Sequence, residues 1–101
     1  MKRTLFAALL AATSLSSPAF AGPIETACNR SDRPQASRQL CRCIDAVADR
    51  TLTRSEQRRA ASFFTNPDEA QAVRMSRTRA DNEFWERYRA FGDLASQMCG
   101  G

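Results

Sequence analysis

Two cysteines stand one residue apart in Leu40-Cys41-Arg42-Cys43-Ile44. That spacing is open to three chemistries: thiol redox, soft-metal binding, or two separate covalent staples. A reactive pair needs a thiol pKa depressed by a helix N-terminus or a nearby cation, together with solvent access. Arg42 supplies charge, but the pair lies within a helical apolar stripe, and the C-x-x-C spacing with its strand-to-helix setting is absent. Metal binding fares no better. The chain has no His, and positions 28, 41, 43 and 99 lack the paired knuckles of an all-cysteine zinc site. Met75 and Met98 are soft donors, yet Met98 falls on a predicted core stripe. Neither a metal nor another cofactor is expected.

The same missing His removes the usual Ser/His and Cys/His nucleophile arrangements. Asp45 and Asp49 remain, four apart on a predicted polar helix face, where carboxylates ordinarily sit in water. The chain is not expected to be an enzyme.

A helical wheel decides between the cysteine readings. At about 100° per residue, Ala36, Leu40, Ile44 and Val47 centre the apolar face, and Cys41 and Cys43 point about 160° apart on its margins. A disulfide needs β-carbons about 3.8 Å apart, so the two cannot bond to each other within a helix. Cys28 therefore pairs with one of them and Cys99 with the other. Cys28–Cys41 with Cys43–Cys99 is preferred, and Cys28–Cys43 with Cys41–Cys99 stays open.

The elements that hold these positions follow from the chain's punctuation. Residues 1–21, MKRTLFAALLAATSLSSPAFA, have a basic start, a short apolar run and the small-x-small ending Ala19-Phe20-Ala21 of a secretory signal cleaved after Ala21. The apolar run is well short of the ~20 residues that span a bilayer. What remains, 22–101, is one small domain in an oxidising compartment, expected to be the periplasm, where four cysteines read as two disulfides. Loss of Lys2 and Arg3 lowers the formal charge from +4 to +2, too little to suggest nucleic-acid binding.

No segment alternates like a strand, so the expected fold is all-α, a small bundle of four or five short helices. The first starts at Pro23, and the second runs from about Pro34 to Arg50 with Asp32 as its cap. Thr53-Arg54-Ser55-Glu56 is a capping box for the third, which runs through Ala60, Phe63 and Phe64. Asn66-Pro67 starts the fourth, which carries Val73 and Met75 and ends near Arg77. The fifth starts near Asp81 and lines up Phe84, Tyr88, Phe91, Ala95 and Met98 beside Cys99.

Two features suggest recognition. Arg54, Arg58 and Arg59 cluster on the third helix, and Arg74, Arg77 and Arg79 near the end of the fourth. Local acids offset some of them, with Glu56 available to Arg59 and Glu83 to Arg87; the remainder suits an anionic partner in the periplasm or at a membrane surface. Trp85 lies beside the aromatic stripe, within reach of stacking by Arg89, and is the candidate recognition aromatic.

With GPIETACNRSDR, LCRCI and FWERYRAFG in view, the chain resembles a group of small secreted alphaproteobacterial four-cysteine proteins often labelled "arginine transporter". The likeness covers the whole chain and implies a role in arginine uptake. The residues themselves set limits on that role. No mature segment spans a membrane, 80 residues leave no room for a two-lobed binding protein, and no acidic cluster is arranged for a guanidinium. The reading is a disulfide-stabilised periplasmic helical protein that acts by binding or interaction. An arginine-transport accessory, a thiol redox protein and a small chaperone are the alternatives.

Overall fold

The first helix, α1 (Pro23–Arg30), starts where expected, with a proline whose missing N–H is not needed in the first turn. In this computed structural model residues 21–100 are described. The expected signal segment, apart from Ala21, and Gly101 lie outside the described residues. Gly22 precedes α1 with no side chain to cap it, and the cap comes from another helix: the Glu25 N–H donates to Asp45 Oδ1 at 3.1 Å.

The second helix, α2 (Arg38–Thr51), starts later than the sequence suggests. Ser37, not Asp32, is its cap, with Oγ accepting from the Leu40 N–H at 3.0 Å. Residues 33–36 instead close a turn through the Ala36 N–H and the Arg33 carbonyl, 3.0 Å apart. A serine ahead of a good helical run competes well for this position, since its hydroxyl satisfies a donor that the helix leaves open.

α3 (Arg54–Ser62) carries the predicted capping box in full: Thr53 Oγ1 accepts from the Glu56 N–H, and Glu56 Oε1 accepts from the Thr53 N–H. It ends at Ser62, and Phe63 and Phe64 fall in the following turn. α4 (Pro67–Arg74) stops before Arg77, leaving Met75 71% exposed and outside the core. α5 (Arg79–Cys99) starts two residues ahead of the expected Asp81, is capped by Thr78, and is closed by Gly100 in the left-handed conformation at φ 68°.

Five helices and no strand make up the described residues, so the fold is all-α. None of the helices is long and apolar enough to cross a membrane. α2 is central: α5 lies along one side of it, and α1 packs against it on another while also meeting α3. Ile24, Val47, Leu52, Phe63, Phe84 and Phe91 are buried in the core, each worth roughly 1.5–3 kcal/mol of transfer free energy. Phe63 meets Tyr88 edge-on at 5.2 Å between ring centres and Phe84 at 6.1 Å. Met98, predicted on this stripe, is 53% exposed. The seam passes from Ala95 to Cys99, a four-residue step, which leaves Met98 about 60° from Ala95 and about 100° from Cys99.

Both disulfides form in the preferred pairing. Cys28–Cys41 joins α1 to α2 with a Cα separation of 5.5 Å, and Cys43–Cys99 joins α2 to the end of α5 with 5.8 Å. The diverging cysteines of α2 thus tie it on two flanks.

Candidate functional site

Delaying α2 to Arg38 leaves residues 31–37 as a strap between α1 and α2. Between this strap, α2 and the end of α5 lies a cleft of about 630 Å³. Leu40, Ile44, Phe64 and Ala95 supply its apolar lining, and Cys28 and Cys99, one from each disulfide, stand in its walls. Ser31, Gln35, Ser37 and Ser96 add polar groups. Leu40 and Ile44, predicted at the centre of the buried stripe, are only half-buried because they face this cleft; Cys41, Val47 and Ala48 take the buried positions toward α1 and α3.

Arg33 is the one charged residue among the described lining residues. Its guanidinium lies 5.2 Å from the Phe64 ring centre, in cation–π contact. Nearby, burial pushes the Tyr88 hydroxyl above its ordinary pKa, and the positive charge of Arg33 opposes that rise. The cleft is apolar inside, and among the described lining residues it has a single cation and no carboxylate.

The sequence-predicted arginines are not one surface. Arg59 is bound: it donates to Asp81 Oδ1 at 2.6 Å and covers the Phe84 ring at 4.6 Å from its centre. The Ser76 hydroxyl and the Arg59 guanidinium hold the Asp81 carboxyl below its usual range. Arg54, Arg58, Arg74, Arg77 and Arg79 are exposed and form no ion pair with the described residues.

The local pairings expected for Glu56 and Glu83 give way to longer ones. Glu56 accepts from Arg87 of α5, not from Arg59, because side chains from α3 and α5 meet across the aromatic cluster. Burial pushes the Glu56 carboxyl up, but the Thr53 N–H and the Arg87 guanidinium outweigh it and the pKa falls. Trp85 is half-buried against Tyr88, 5.2 Å between ring centres, and the cation–π contacts of the described residues involve Arg33 and Arg59, not Arg89.

All four cysteines are in disulfides, and the described residues contain no free thiol. Cys28 and Cys41 are buried, whereas Cys43 and Cys99 are half-buried beside a shallower hollow that also includes Gln39 and Met98. No cluster of three or more Cys, Asp or Glu among the described residues is placed to hold a metal. No protein-family model matches the chain, and neither a curated protein nor a solved structure does.

Sequence reasoning missed Arg33 and Phe64 as partners, reading the stretch around the first for its Asp32 cap and the second as part of the third helix. It also missed Gln57, which is buried on α3 and donates from Nε2 to the carbonyls of Leu52 at 3.1 Å and Ala48 at 3.4 Å. The Leu52 carbonyl, at the C-terminal cap of α2, lies where helical partners run out, while the Ala48 carbonyl also accepts from the Leu52 N–H at 2.8 Å. A polar residue three after the capping Thr53's own neighbour Arg54 carries no hydropathy signal for such a role.

Proposed function

We propose that the protein is exported to the periplasm and acts there by binding, and that its ligand is an anionic amphiphile held in the cleft beneath the 31–37 strap. The carrying observation is the cleft's composition: an apolar lining of Leu40, Ile44, Phe64 and Ala95, with Arg33 as its charge. Such a site removes hydrocarbon from water and offers a guanidinium to a carboxylate or phosphate. The oxidised cysteine framework supports the oxidising compartment.

An arginine-uptake role, implied by the resemblance, gains no support from this cleft. A guanidinium ligand would meet Arg33 and find no acid among the described lining residues. Calorimetric titration of the oxidised protein with decanoate, decylammonium and arginine separates the readings. Decanoate binding that weakens at least fivefold in Arg33→Gln, with decylammonium and arginine inert, is the expected result. Arginine binding, or equal affinity for both decyl ions, would overturn the ligand assignment.

A further inference from the structure

Cleavage after Ala21 would leave Gly22 as the first residue, and Gly22 is pressed against Asp45 of α2. A Cβ added to Gly22 would lie 2.9 Å from Asp45 Oδ2 and 3.0 Å from Cγ, with Oδ1 nearer still. Side chains essentially never tolerate such contacts, so the position admits only glycine without a shift of the carboxylate. The Gly22 nitrogen is one further bond angle away, which places it within about 5 Å of the carboxylate. Pro23 limits rotation on the other side of Gly22, whose own backbone is extended at φ −67° and ψ 173°.

The Asp45 carboxylate is only partly used. Oδ1 accepts from the Glu25 N–H, while Oδ2 has no hydrogen bond and Asp45 no ion pair among the described residues. Its charged neighbours are Asp49 on its own helix, Glu25 on α1 and Arg54 on α3. Two are acids, and Glu25 already faces Arg42 at 3.6 Å. Burial and these two acids push the Asp45 carboxyl up, against the Glu25 N–H and Arg54. The carboxylate lacks a close cation.

We propose that Asp45 is a docking site for a primary ammonium group, and that the group it takes is the α-amino terminus of Gly22 released by hydrolysis of the Ala21–Gly22 bond. This rests on the export reading. Water adds across the peptide bond, Ala21 keeps the new carboxylate, and the Gly22 amine takes a proton at neutral pH. An ammonium at the start of α1 is unfavourable toward the helix dipole by itself; the Asp45 carboxylate reverses that sign. Removal of the leader thereby adds an ion pair across the α1–α2 contact that the longer chain cannot make.

The test compares oxidised protein beginning at Gly22 with protein beginning at Ala21, each with Asp45 and with Asp45→Asn, all released from a removable fusion. With Asp45, the extra residue is expected to raise the unfolding equilibrium constant about three- to tenfold, as for a partly buried pair. With Asp45→Asn the extension is expected to change it less than twofold. The Gly22 amine should titrate above the ~7.7–8.0 of a free α-amino group only when Asp45 is present. Equal effects of the extension in both backgrounds, or an unshifted amine, would overturn the docking site. If Asp45→Asn does not fold, Nα-acetylation of the Gly22 form replaces it and should reproduce the loss; no loss on acetylation would overturn the site equally. Intact mass of protein from the periplasm tests the export reading separately: a start other than Gly22 overturns the processing step, while the titration decides the ammonium site.

Discussion

Of the two disulfides, Cys43–Cys99 is predicted to contribute more to stability, because it closes the longer loop. Its cysteines are 56 residues apart, against 13 for Cys28–Cys41. The chain-entropy relation gives about 4.2 kcal/mol for the longer loop and about 3.0 kcal/mol for the shorter one. A domain of this size has a net stability of only ~4–12 kcal/mol, so losing the outer bridge takes a third or more of it. The perturbation is Cys43→Ala with Cys99→Ala, whose half-buried sites leave little cavity penalty to add. The assay is urea unfolding followed by far-ultraviolet circular dichroism without reductant. The midpoint should fall by the equivalent of about 4 kcal/mol. The denaturant slope should rise, since the freed chain exposes more surface when unfolded. A cost below about 1 kcal/mol with an unchanged slope would refute the reasoning, because neither the closed loop nor the anchoring of α5 would then matter.

Further outcomes follow from individual contacts. Thr53→Ala, which dismantles the capping box of α3, should cost about 1 kcal/mol in the same urea assay. Gln57→Ala should cost about 1–3 kcal/mol, because it leaves the Leu52 carbonyl at the end of α2 without its side-chain donor. Phe84→Ala should cost about 3–5 kcal/mol, and Met98→Ala no more than about 0.5 kcal/mol, by thermal or urea unfolding. Stability measured against pH should decline below about pH 4 through Glu56 and Asp81. Both carboxyls have folded pKa values below their unfolded ones, so their contribution is present above the unfolded pKa and disappears as pH falls through the folded one. Glu56→Gln should flatten that decline, and an unchanged profile would contradict the Arg87 pairing.

Local signals in the sequence were enough for much of the fold. The capping box of α3, the proline starts of α1 and α4 and the divergence of Cys41 from Cys43 all depend on residues within a few positions of one another. Asp32 against Ser37 as the cap of α2 was a competition between two good capping residues, decided by where the strap turns. Met98 was misplaced because three-residue and four-residue steps both continue an apolar stripe, and the Cys99 bridge selects the latter. The cleft was less legible. Its lining joins Arg33, Leu40, Phe64 and Ala95, which come from four separated parts of the chain, and nothing in local periodicity brings them together. The ion pairs Arg59–Asp81 and Arg87–Glu56 were equally hidden, since nearer acids were available to both arginines.

The most direct measurement is nuclear magnetic resonance mapping of the oxidised protein, nitrogen-15 labelled and titrated with decanoate. The largest shifts are predicted at Arg33, Ala36, Leu40, Ile44, Phe64 and Ser96, with arginine producing none. Shifts confined to the exposed Arg54, Arg58, Arg74, Arg77 and Arg79, or none with decanoate, would contradict binding in the cleft.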